Sequence, residues 1–192
     1  LTFDDSGSMS RINTPDDRPY DGSISGWTNG NSYPTNSNTP WMCAGVIDPR
    51  ITDPLDPRSW PMNGVYYNPN PDVDYPPPLF QDGTPFTPSN WPKAWKNGIL
   101  AQRPAGTQNT STDDISQSIS FCGNNKAGYY RLKNNITITL VNGKISNTTT
   151  LYNKSNWEWV DLPTDQQQKF ANWYSFYRTR YTAAASATSH AF

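Results

Sequence analysis

The stretch "NPNPDVDYPPPLFQDGTPFTP" places seven prolines in 21 residues, from Asn68 to Pro88. Each proline fixes its own φ, removes a backbone donor and pushes the preceding residue toward extended geometry. No helix or central strand can form across such a run. Pro76, Pro77 and Pro78 favour a short polyproline II segment. A flexible linker would satisfy the same constraint. However, Trp41, Trp60, Tyr66, Tyr67, Tyr75, Phe80, Phe86, Trp91 and Trp95 punctuate the surrounding region. Rings of this size bury large apolar areas, so an ordered, loop-rich body is expected.

Composition supports that reading. Hydrophobic residues make up 34% of the 192 and charged residues only 16%, so strong charge does not drive the chain to disorder. The length suits one domain, or one core carrying a large insertion. A net charge of -1 lacks the clustered Lys and Arg of a nucleic-acid surface, and none is expected. No apolar run approaches the length of a membrane span, and no signal peptide is visible.

Cys43 and Cys122 allow one disulfide. It would close a loop of about 80 residues, with a chain-entropy contribution of about 4–5 kcal/mol. The alternative is two buried free thiols. The extracellular character of the composition favours the bridge. His190 is the single histidine, so a Cys/His metal site is not expected.

Regular structure is expected toward the end of the chain. In "NITITLVNGKISNTTTLY", Ile136, Ile138 and Leu140 alternate with Thr137, Thr139 and Val141 before Asn142-Gly143. That pattern predicts a hairpin with a type I′ turn. "GYYRL" before it and "NWEWV" after it are candidate neighbouring strands, with Trp157 and Trp159 on one face, giving strands within about 129–160. "SNWPKAWKNG" predicts a helical turn starting at Ser89 or Asn90. Residues 164–190 read as one long helix, with Thr164 and Gln167 as a capping box. Phe170, Trp173, Tyr174, Tyr177, Tyr181 and Ala184 form its apolar stripe. Ala183, Ala184, Ala185 and Ala187 leave room for a closely packed sheet.

The first residues, "LTFDDSGSMS", alternate Asp4, Ser6 and Ser8 around Gly7. Three oxygen-bearing side chains on alternate residues of a tight loop can turn toward one hard cation. One carboxylate and two hydroxyls form an incomplete shell for magnesium, with manganese or calcium as substitutes, and leave room for an acidic group from outside. An ordinary Ser/Gly loop with an Asp cap is the plainer alternative. "FDDSGSMS" resembles the metal-ion-dependent adhesion motif of von Willebrand factor type A domains. There it ends the first strand of a Rossmann-like sheet, and a later Thr and Asp complete the site. No residues here match that later pair.

A second resemblance covers nearly the whole chain. "MCAGVIDPR", "NGVYYNPNPDVDYPPP", "DGTPF" and "KFANWYSFYRTRYTAAASATSHAF" resemble, in order, the amino-terminal region of PilY-type adhesins of bacterial type IV pili. The resemblance implies an α/β fold: a fragment of a type A domain with a large loop-rich insertion bearing a hairpin or small antiparallel sheet. Residues 1–8 would be the first strand end and metal loop, 9–163 the insertion, and 164–192 the first long helix. It implies a non-enzymatic factor in pilus assembly, twitching motility and attachment to surfaces or host cells. It also implies a secreted or cell-surface location at the pilus tip of a Gram-negative bacterium, associated with the outer membrane. Contact with minor pilins would run through a carboxy-terminal region beyond this sequence.

Other residues invite weaker readings. Asp113-Asp114 and Asp72/Asp74 are acidic pairs that a glycosidase could use, but turn-forming or solvated roles are expected. Asp72, Asp74 and Asp82 near Asn68 and Asn70 suggest calcium only faintly, because the spacing is not that of an EF-hand. Asn109, Asn135, Asn147 and Asn153 lie in acceptor-like sequons, to which no role is assigned. Of Arg178 and Arg180, one is expected at the surface and the other paired to an acid. The runner-up function is a secreted glycan-binding module that stacks sugars on the insertion's rings.

Overall fold

The computed structural model describes residues 59–61, 64–116, 127–137, 139–141, 144–145 and 154–191. In chain order the elements are β1 (Lys93–Trp95), α1 (Gly98–Gln102), β2 (Thr112–Asp114), β3 (Gly128–Leu132), β4 (Leu140–Val141), β5 (Lys144–Ile145), β6 (Trp157–Asp161), α2 (Gln167–Phe176) and α3 (Arg180–Ser189). The strands pair as three two-stranded ribbons, β1–β2, β3–β6 and β4–β5. All pairing among the described residues is antiparallel. Mixed helices and small antiparallel sheets are thus present. The strand expected at residues 1–8 lies outside the described residues, and no Rossmann-like sheet is found among them.

The proline run is ordered by its own carbonyls. Pro76 O accepts from Tyr177 Oη at 2.7 Å, and Pro78 O from the Phe86 N–H at 2.8 Å. Pro77 O lies 3.1 Å from His190 Nε2, and the Leu79 N–H donates to Ser189 Oγ. A polyproline II segment makes no internal hydrogen bonds. Here its carbonyls serve instead as a strap that holds both helices. The turn that follows needs Gly83, whose φ is +81°, and Asp82 fixes it by accepting from Thr84 N and Oγ1.

The rings on either side of the strap make the core. Tyr66, Tyr67 and Tyr75 pack with Phe170, Trp173 and Tyr174 from α2, and with Ala94, Ile115, Ala127 and Tyr129. Tyr67 is fully buried. Its ring centroid lies 4.9 Å from that of Phe170, 5.7 Å from Tyr75 and 5.9 Å from Tyr129. The phenols bring polar atoms inside, and partners meet them. Tyr66 donates to Gly128 O at 2.6 Å, and Tyr67 to Gln166 Oε1 at 3.0 Å. Tyr174 donates to Asp113 Oδ2 at 2.5 Å. Trp173 Nε1 donates to Val65 O at 2.9 Å.

The expected strands "GYYRL" and "NWEWV" become β3 and β6, with Tyr130 opposite Trp159 and Leu132 opposite Trp157. Alternation places Trp157 and Trp159 on one face, and the Tyr130 ring meets Trp159 edge-on at 5.1 Å. Tyr129 and Val160, on the other face, join the core. The hairpin is also present, with Leu140 opposite Ile145 and Val141 opposite Lys144. Its turn residues Asn142 and Gly143 lie outside the described residues. Its first strand is shorter than the alternation suggests, because Ile136 N–H donates to Lys133 O in a turn.

Two local expectations are corrected. "SNWPKAWKNG" is not helical from Ser89: the Trp91–Pro92 bond is cis and β1 follows. Ser89 is held extended against α2, its N–H donating to Asn172 Oδ1 and its carbonyl accepting from Gln168 Nε2. The helix starts later, at α1, where Asn97 caps Leu100 N.

The single helix expected over 164–190 is two helices. A 3₁₀ turn spans Thr164–Gln166, with Pro163 rather than a side-chain cap before it. α2 then ends at Phe176, and α3 starts after Thr179. Thr179 is extended (φ -108°, ψ 157°), and it forms the capping box with Thr182. Tyr177 and Arg178 reach sideways to Pro76 O and Lys96 O. Together these bonds outcompete one continuous helical turn.

Candidate functional site

Acidic and basic groups among the described residues are mostly committed to local structure. Asp113 pairs with Lys96 at 3.3 Å while accepting from Tyr174. Asp114 accepts from Ser116 N and Oγ at 3.1 and 2.6 Å. The side chains of Asn68 and Asn70 accept from the N–H groups of Asn70 and Asp72, and Asp74 Oδ1 accepts from the Tyr75 N–H. Asp114 and Asp74 thus take the turn roles expected, whereas Asp113, in β2, is tied to Lys96 and Tyr174 instead. Among the described residues, no group of three or more His, Cys, Asp and Glu is placed to hold a metal.

Lys169 is a site the sequence did not announce. Its Nζ donates to Asn70 O at 2.7 Å and lies 5.7 and 5.9 Å from the Tyr67 and Tyr75 ring centroids. Burial lowers its pKa, and the nearby Asp74 opposes that shift. Burial also pushes Tyr75 and Tyr177 up to about 12, and Tyr67 well above the ordinary tyrosine range. Arg178 lies 3.9 Å over the Tyr174 ring and donates to Lys96 O. His190 is exposed.

Of the described insertion rings, Trp60 is exposed, and Phe80 and Trp95 are half-buried. Tyr66, Tyr67, Tyr75 and Phe86 are buried, which removes them as platforms. Trp91 is half-buried and lines a cleft of about 320 Å³ with Ser116, Ala127, Asp161, Leu162 and Gln167. Trp159 Nε1 donates to Asp161 Oδ1 at 2.8 Å and so fixes that carboxylate at the rim.

No protein-family model matches the chain, and no solved structure does. Curated relatives do match. The type IV pilus biogenesis factor PilY1 of Pseudomonas aeruginosa strain PAO1 is 29% identical over 196 residues, which covers 100% of this chain and 14% of the relative. PilY1 of strain UCBPP-PA14 is 30% identical over 145 residues, covering 70% of this chain and 12% of the relative. PilY1 of strain PAK is 27% identical over 207 residues. The chain is a relative of the PilY1 pilus factors. It spans about one seventh of the length of the PilY1 proteins it matches.

Three of the stretches on which the PilY-type resemblance rests meet in space, while "MCAGVIDPR" lies outside the described residues. Tyr66, Tyr67 and Tyr75 of "NGVYYNPNPDVDYPPP" pack on Phe170, Trp173 and Tyr177 of "KFANWYSFYRTRY". Phe86 of "DGTPF" meets Phe176 edge-on, with centroids 6.3 Å apart. In this PilY1 relative, the two longest motifs therefore share one aromatic core, and "DGTPF" meets the end of α2. The proposed metal residues Asp4, Ser6 and Ser8 lie outside the described residues, as do Cys43 and Cys122. Lys169 escaped the sequence reading because its partners, the Asn70 carbonyl and the Tyr67 and Tyr75 rings, come from a distant stretch of the chain. Lys169 did sit beside the apolar stripe, and that was the one available signal.

Proposed function

We propose that this chain is the amino-terminal module of a type IV pilus-associated surface factor, acting in pilus biogenesis as a non-enzymatic adhesin and assembly component. The observation that carries this reading is the match to PilY1 along the whole chain. The packing of the resembling motifs into one core adds support. The pilus context favours a cell-surface or extracellular location. No helix among the described residues is long and apolar enough to cross a membrane.

Within this reading, Asp4, Ser6 and Ser8 hold a magnesium-type cation whose spare charge attracts a carboxylate on the attachment surface. That chemistry requires no bond cleavage. Contact with minor pilins, and twitching motility, belong to the longer protein. The test is genetic. In a bacterium carrying the gene that encodes this chain, deletion of the codons for residues 64–191 is expected to reduce sheared surface pilin and twitching zones. Asp4→Ala is expected to spare surface pilin and reduce attachment. Normal piliation and twitching after the deletion would reject the assembly role, and unchanged attachment by Asp4→Ala would reject the metal role.

A further inference from the structure

We propose that the cleft beside Trp91 binds a single neutral sugar ring. The six described residues that line it come from four separate stretches: Trp91 before β1, Ser116 after β2, Ala127 before β3, and Asp161, Leu162 and Gln167 from the end of β6 to the start of α2. Trp91 and Leu162 also pack against the aromatic core, so the surface they turn to the cleft is held in place. Residues 117–126 connect Ser116 to Ala127 and lie outside the described residues.

The polar rim selects the ligand class. Asp161 is exposed at the rim, and its carboxylate, which already accepts from Trp159, is an acceptor-only group. Ser116 donates its hydroxyl proton to Asp114, which leaves its oxygen able only to accept. Gln167 contributes an amide that both donates and accepts. A fitting ligand must therefore present several O–H donors and at least one acceptor on one edge, and an apolar face toward the indole. An anion would meet the Asp161 carboxylate. A quaternary ammonium has no donors for Asp161 and Ser116. A purely apolar ligand would strip water from three polar groups without replacing their hydrogen bonds. A pyranose meets all the conditions, with C–H groups on its face and hydroxyls at its edge. The volume of about 320 Å³ lies at the small end of the roughly 300–1,000 Å³ typical of ligand sites, which suits one ring rather than a chain.

The site stands apart from the pilus reading, because it rests on the cleft alone. The experiment is saturation-transfer NMR on the intact chain. D-glucose, D-galactose, D-mannose and N-acetylglucosamine are tested singly, with choline and acetate as the cationic and anionic controls. At least one sugar is expected to receive transfer and to saturate. Gln167→Ala should weaken it by about fivefold, the worth of one hydrogen bond, and Trp91→Ala should abolish it. Thermal melts identify any variant that fails to fold. If Trp91→Ala does so, Gln167→Ala decides. The proposal is overturned if no sugar receives transfer from the folded chain, if transfer is unchanged in the variants, or if choline or acetate is preferred to all four sugars.

Discussion

Tyr67 shows how one side chain serves two energetic functions in this core. Its ring touches four other aromatic residues, and its hydroxyl donates to Gln166, which also hydrogen-bonds Tyr129. The two contributions can be separated by mutation. Tyr67→Ala removes the ring and leaves a cavity, so a loss of about 3–5 kcal/mol is expected. Tyr67→Phe keeps the ring and drops one hydrogen bond, so a loss of about 0.5–1.5 kcal/mol is expected. Urea unfolding of both variants measures the difference, and equal losses would contradict the packing described. Gly128 makes a second residue-scale case. A Cβ there would collide with the Val160 carbonyl and the Trp159 ring, and the carbonyl is backbone that cannot rotate away. Gly128→Ala should therefore cost about 1–3 kcal/mol by overpacking, read in the same unfolding experiment.

The break between α2 and α3 shows what an element inherits from its surroundings. The apolar spacing runs through residues 170–184 without interruption, and periodicity alone therefore reads one helix. The stop depends on Pro76 O and Lys96 O, which accept from Tyr177 and Arg178 across 101 and 82 residues of sequence. Only the Thr179/Thr182 box is local, and a Thr-x-x-Thr pair is a weaker written signal than the Thr164/Gln167 pair that turned out not to cap. Thr179→Ala removes the cap from α3 and should lower stability by about 0.5–2 kcal/mol. Thr179→Ser should retain most of it. Thermal melts and helical circular dichroism together test this. By contrast, β3, β6 and the β4–β5 pair were legible, because their signals of alternation and an Asn-Gly step are contained within each segment.

At the scale of the molecule, the buried phenols set how stability responds to alkali. Tyr75 and Tyr177 hold their protons to about pH 12 when folded, against an ordinary value of 10. The unfolded chain releases those protons first, so their contribution is complete below about pH 10 and is lost as pH rises through the folded values. Tyr67 acts in the same direction. Lys169 acts in the opposite direction: its lowered pKa means that a penalty on its charged form is relieved as pH rises toward its ordinary value of 10.5. It is only partly buried, so its effect is the smaller one. Melting temperature is therefore expected to hold to about pH 10 and then fall, with tyrosinate absorbance appearing together with unfolding. Tyr177→Phe should make the fall shallower. A melting temperature constant to pH 12 would contradict the burial of these phenols. The cleft was the least legible feature. Its lining residues come from stretches that share no motif, and only the pairing of β3 with β6 and the placement of Ile115 beneath Pro92 bring them together.

The strap has a consequence in time. Tyr177 binds Pro76 across 101 residues, and Trp173 binds Val65 across 108. A chain that emerges from its amino terminus presents the tyrosines and prolines first and their partners 101 to 108 residues later. Until the closing helices arrive, those rings have no inside to occupy, and the long loop must be closed before any contact rewards it. This core can therefore close only after Trp173 and Tyr177 have followed Val65 and Pro76 out.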